Sequence, residues 1–147
     1  MTMKKISFLL LAIVISCTKN DETMNSQKES PLAAVVKLIS AESMGYIEVA
    51  KAYIDVKRVY SKHVSDNTDY DSLFADHVKF MSATTDSKKM TNHFKYFNYE
   101  ISEIHDGSSA KVKFESKDKE ASLERIIYSL EDRNSQWIVV GIEYEKK

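Results

Sequence analysis

Asp106-Gly107 lies between a predicted strand and a stretch that alternates apolar and polar residues, an arrangement that leaves few folds open to the second half of this chain. Residues 99–105 precede it. After it, Ala110, Val112 and Phe114 alternate with Lys111, Lys113 and Glu115. Asp-Gly accepts the positive φ of a tight hairpin turn, and a period of two sends successive side chains to opposite faces. The pattern predicts an antiparallel hairpin with one buried face. It then continues as a meander. Residues 116–122 are a polar connection, and residues 125–130 read as a strand carrying Ile126, Tyr128 and Leu130 on one face. Residues 132–135 turn the chain, and residues 137–144 form a last strand. That stretch is apolar on both sides, which predicts a central or doubly covered strand.

The first half changes period. Ser30-Pro31 is a helix start, a serine N-cap followed by a proline whose missing N–H costs nothing at the first helical position. Leu32, Val35, Val36 and Ile39 follow at helical spacing, and Gly45 is a C-terminal stop. A second helix is predicted over residues 46–63, with Tyr46, Ala50, Tyr53, Lys57 and Tyr60 along one face. Residues 65–71 read as a polar loop, residues 71–76 as one helical turn, and residues 78–81 as an extended exit. Helices first and a meander last predict an α+β layer, with N-terminal helices packed on one curved antiparallel sheet.

The first thirty residues stand apart. Lys4 and Lys5 precede a ten-residue run, ISFLLLAIVI, then Ser16 and Cys17. Ten residues do not cross about 30 Å of hydrocarbon, which takes about 20. They match the apolar core of a secretory signal. Val14-Ile15-Ser16-Cys17 resembles the lipobox of bacterial lipoproteins. The resemblance implies cleavage between Ser16 and Cys17, a diacylglycerol on the Cys17 thiol, and acyl chains such as palmitate that hold the protein to a membrane. Cys17 is the only cysteine, so no intramolecular disulfide forms. Residues 18–30 hold one apolar side chain, Met24, and read as a flexible tether. Lys19-Asn20-Asp21-Glu22 resembles the charged export signal of surface lipoproteins. The implied location is the cell envelope, at the outer membrane and displayed outward.

Residues 31–147 are sized for a single domain. Loss of Lys4 and Lys5 with the leader leaves 19 basic against 22 acidic side chains, a net charge near −3. Basic residues are scattered, which argues against a nucleic-acid partner.

Taken together, the Ser-Pro helix start, GYIEVAKAYIDVKRVYSKH, TNHFKYFNYEISEI, AKVKF and IIYSLEDRNSQWIVVGIEY resemble bacterial lipoproteins with a DUF4878-like domain of the NTF2-like superfamily. LFADHVKFM, residues 73–81, is similar to the loop-to-strand passage of SnoaL-like members. The resemblance implies an NTF2-like, cystatin-like α+β cone in which helices are wrapped by a bent sheet, often with a pocket at the open end. It carries over no catalytic residues, because the superfamily hosts enzymes, binders and dimerisation modules alike.

The residues themselves offer little chemistry. His63, His77, His93 and His105 show no metal-ligand spacing, and neither a metal nor a cofactor is expected. Asp66, Asp69 and Asp71 lack the glycine and the terminal glutamate of a calcium loop and read as a solvated acidic loop. Asp76 and His77, adjacent on an extended segment, point apart. NTF2-like enzymes use a buried His oriented by an Asp, a role open in principle to His93 with Asp86 or Asp76, although surface placement is the commoner fate of such residues.

Aromatic residues are the richest signal. Packed core accounts for most of them. A pocket lined by Tyr53, His93, Phe94, Tyr96 and Trp137 is the sharper alternative. The expected function is a non-enzymatic ligand-binding or protein-interaction module for a small apolar ligand or a protein partner, with a homodimer left open. Two rivals stand: a SnoaL-like small-molecule enzyme using a buried His/Asp or Tyr, and an immunity or inhibitor lipoprotein.

Overall fold

A computed structural model describes residues 28–62, 64, 68–83, 98–120 and 123–146. The fold is α+β, with four helices packed on one face of an open antiparallel sheet.

Helix α1, Pro31–Met44, begins and ends where the sequence places it. Ser30 Oγ accepts the Ala33 N–H at 3.1 Å, and Gly45 adopts φ 76° to stop the helix. The Gly45 N–H returns to Glu42 O and the Tyr46 N–H to Ala41 O, which satisfies carbonyls left open at the helix end. At the other end the Leu32 N–H donates to the Glu103 carboxylate at 2.6 Å, an anion set against the positive helix terminus.

The single helix predicted over residues 46–63 is corrected to two short ones. These are α2, Ile47–Lys51, and α3, Val56–Tyr60. Between them the chain opens, and Ile54 forms a parallel bridge to Val139. The bridge supplies backbone partners that a continued helix would have satisfied internally, and it buries Ile54. Helix α4, Tyr70–Ser82, replaces the predicted turn and extended exit, including the passage compared with the loop-to-strand of SnoaL-like proteins. Phe74, Val78 and Met81 fall on one helical face and are buried, and Asp69 caps the start by accepting the Asp71 and Ser72 N–H groups at 3.1 Å. Asp69 therefore serves as a helix cap.

The strands are β1, Tyr99–Asp106; β2, Ser109–Ser116; β3, Leu123–Arg133; and β4, Gln136–Lys146. They pair in sequence order, each antiparallel to the next. Gly107 supplies φ 58° at the first turn, and Asn134 and Ser135 supply 55° and 67° at the third. Positive φ at both central residues is what a tight two-residue hairpin requires.

Strand β4 lies at the end of the sheet order among the described residues, which corrects the expectation of a central strand. Its two-sided apolar character has another cause. Leu130 pairs with Val139 and Ser129 with Gly141, so Val140 is the extra residue of a bulge, and Ile54 covers part of the free edge.

The buried face of the sheet carries Ala110, Val112, Phe114, Ile126, Tyr128, Leu130, Trp137 and Val139. Val35, Leu38, Phe74 and Val78 fill the space above it from the helices. The opposite face is charged: Arg125 bonds Glu115 and Glu145, each at 2.7 Å, across three paired strands.

Candidate functional site

Two places combine features that packing alone does not require. The first is the outer surface of the helical layer. Helix α1 buries Val35, Leu38 and Ile39 in the core and Glu42 against α4, which turns Val36, Ser40 and Met44 outward in a row of four-residue steps. Chain reversal at Gly45 brings Tyr46 and Val49 alongside, and Tyr53 closes the far end. Together these residues line a depression of about 250 Å³ whose surface is almost wholly apolar. Val36 is 47% exposed, Met44 64%, Tyr46 57% and Val49 50%. Exposed single hydrophobics are ordinary, whereas these lie side by side in one depression. Lys37 stands at its edge with Nζ 5.6 Å from the Tyr53 ring centre and 2.8 Å from Glu29.

The second place lies between the helices. Glu42 is the one charged residue buried among the described residues, at 6% exposure. Its carboxylate is 3.6 Å from His77 Nε2 on α4. The His77 ring stacks on Phe74 at 6.3 Å and meets the Tyr60 ring edge-on at 6.2 Å. Burial pushes the Tyr60 hydroxyl above its ordinary value, and the nearby Glu42 charge and Tyr144 add to the effect. Burial and then Glu42 do the same to Tyr144. Four ionisable side chains from α1, α3, α4 and β4 thus share one neighbourhood.

Tyr53 and Trp137, both predicted to line a pocket, border different depressions. Tyr53 belongs to the apolar one just described. Trp137 is almost wholly buried, with the Lys28 ammonium 4.7 Å above its ring and His105 edge-on at 5.9 Å. Lys28 also pairs with Asp132, and Glu103 contacts His105. The depression there has polar walls from Glu29, Ser30, Glu103 and His105. His93, Phe94 and Tyr96 lie outside the described residues, as do Ser16, Cys17, His63, Asp66 and Asp86.

Asp76 pairs with Lys79 at 3.0 Å and does not meet His77, which faces Glu42. Asp71 pairs with Lys51 at 3.1 Å. No cluster of three metal-ligating side chains occurs among the described residues, and none of their helices is long and apolar enough to cross a membrane.

Sequence reasoning missed Glu42 and the outward row of α1. A signal was present for the row. Helix α1 carries apolar residues on both sides, and a helix apolar around its circumference has more than one surface to cover. Glu42 carried no such signal, since its partner lies on another helix.

Neither the family models, nor the curated proteins, nor the solved structures compared with this chain yield a match.

Proposed function

We propose that this chain is a bacterial envelope lipoprotein, cut between Ser16 and Cys17 and held to a membrane by acyl chains on Cys17, whose domain acts as a non-enzymatic binding module. The support for the anchor is the order of positive, apolar and lipobox segments. The domain is proposed to be an NTF2-like cone of the DUF4878-like kind. Four helices followed by a four-stranded meander, with the helices covering one sheet face, are compatible with that shape.

One observation carries the binding reading: the apolar surface formed by Val36, Met44, Tyr46, Val49 and Tyr53 lies on the outside of the helical layer, where the fold gives it no partner among the described residues. Side chains such as Phe74, Phe114 and Leu130 meanwhile fill the space between helices and sheet. Ligand or partner capture at the surface is therefore favoured over chemistry in an enclosed cone.

The test is membrane fractionation and intact mass of the full chain expressed in a Gram-negative host. Wild type is expected in the membrane fraction, without its leader and with added acyl mass. Cys17→Ser is expected to be soluble or unprocessed. An unmodified thiol with the leader in place refutes the proposal.

A second reading, the small-molecule enzyme, draws on Glu42 facing His77 beside Tyr60. It requires a ligand that reaches the imidazole, which is one-third exposed at 33% of its side chain. Compound screening by NMR tests it: ligand-dependent shifts centred on His77 and abolished by Glu42→Gln support it, whereas shifts confined to Val49 and Tyr53 refute it. An inhibitor lipoprotein would use the same apolar surface on a protein partner.

A further inference from the structure

We propose that the apolar outer face of the helical layer rests on the bilayer that carries the anchor, with the sheet turned to water. This rests on the lipidation of Cys17 proposed above.

The two sides of the domain differ in the chemistry they present. The sheet's outer face displays Lys111, Lys113, Glu115, Arg125, Glu143 and Glu145 around a depression that exposes Ile104, and its arginine is held between two carboxylates. Such a face is at home in water. The opposite side displays Val36, Met44 and Val49 together with two tyrosines. Tyrosine rings favour the membrane–water boundary, because the ring prefers the apolar side and the hydroxyl the wet side. Lys37 stands at the edge, where a long side chain lays its stem along apolar surface and carries its ammonium, here 2.8 Å from Glu29, toward the headgroups. Glu48, beside this surface, lies 3.8 Å from Lys51, whose nearer partner is Asp71 at 3.1 Å, so its charge is offset only in part.

Chain length supplies the second argument. Residues 18–30 join the lipidated position to α1, the helix that bears Val36 and Met44. Lys28, Glu29 and Ser30 already lie against the domain, and the ten residues 18–27 before them span at most about 35 Å. Helix α1 itself, at 14 residues, is about 21 Å long. Every part of the apolar row is therefore within reach of the surface that holds the acyl chains. Tethering makes that contact intramolecular, so a surface too weak to recruit a free protein still docks an anchored one. A soluble partner has no such advantage.

Acylation of Cys17 leaves the mature protein without a free thiol, so an introduced cysteine is a unique labelling site. Val49→Cys and Lys111→Cys, on opposite sides, are each labelled with an environment-sensitive fluorophore in the full, lipidated chain. The labelled proteins are then reconstituted into vesicles of phosphatidylethanolamine and phosphatidylglycerol containing a headgroup-proximal spin-labelled lipid. Quenching is expected to be several-fold stronger at position 49 than at 111, and to be lost when Val36→Asp and Tyr46→Asp are added although the protein still floats with the vesicles. Equal quenching at both positions in floating protein overturns this inference and leaves the anchor standing. Shielding at position 49 that grows with protein density shows a second copy on this face and also overturns it. Protein that does not float removes the anchor, and the inference falls with it.

Discussion

Ile54 lies beside Val139 in an isolated parallel bridge, with the Val139 N–H donating to the Tyr53 carbonyl and the Asp55 N–H to the Val139 carbonyl, both at 2.8 Å. Two backbone bonds at one residue hold the break between α2 and α3 against the free edge of β4. An open sheet edge invites pairing with other chains, and this contact occupies part of it. The helical layer, and with it the apolar row of α1 and α2, is thereby held against the sheet edge.

Ile54→Ala removes a buried side chain at this joint. The expected cost is about 2–4 kcal/mol, as for other large-to-small core changes. Urea unfolding measures it. A loss below about 1 kcal/mol would show that the bridge is held by its backbone bonds without the isoleucine packing.

Gly45 ends α1 at φ 76°, and a Cβ there would stand 3.2 Å from Ser82 Oγ. Gly45→Ala is expected to destabilise by about 1–2 kcal/mol through the left-handed backbone. Thermal unfolding should place Gly45→Asn between alanine and wild type, because asparagine tolerates that conformation better.

Asp55 caps α3 by accepting the Arg58 N–H at 3.1 Å and also receives Arg133 Nη2 at 2.8 Å. Burial alone would raise its carboxyl. The Arg133 hydrogen bond, the Arg58 N–H and the two guanidinium charges outweigh burial and hold it below the ordinary aspartate value. A carboxyl lowered by folding stabilises above its unfolded pKa, about 3.9, and loses that contribution as pH falls through the folded value. Asp55→Ala should therefore cost about 1 kcal/mol at neutral pH. The difference from wild type should shrink in the acid range. Denaturant midpoints across pH check it, and a pH-independent difference contradicts it.

Tyr60 and Tyr144 titrate above the ordinary tyrosine value, chiefly through burial and then through Glu42. A group raised by folding stabilises fully below its unfolded pKa, so stability should fall as pH rises beyond about 10. Tyr60→Phe should flatten this alkaline loss. Glu42→Gln should flatten it only in part, because burial is the larger cause. Unfolding curves between neutral and strongly alkaline pH distinguish the two variants.

The helix start at Ser30-Pro31, the stop at Gly45 and the turn at Asp106-Gly107 were legible because each is a local backbone requirement met by a local residue type. Helix α4 was less so. Asp69 and Asp71 looked like part of a solvated loop, yet Asp69 opens the helix that Phe74, Val78 and Met81 bury. Its apolar spacing was in the sequence, but acidic residues at a helix start resemble those of a loop until the amides they cap are located.

What the sequence by itself determined is therefore the set of elements whose signals are local: one capped helix, and a meander whose period of two assigns inner and outer faces. Tertiary structure alone decided where the helix after Gly45 breaks, because that break depends on the backbone groups that Val139 offers from across the fold. It also decided that Glu42 faces His77, and that Val36, Met44, Tyr46 and Val49 share one outer surface. Side chains distant in sequence become neighbours only when packing chooses which face of each helix the sheet covers, and no local preference encodes that choice.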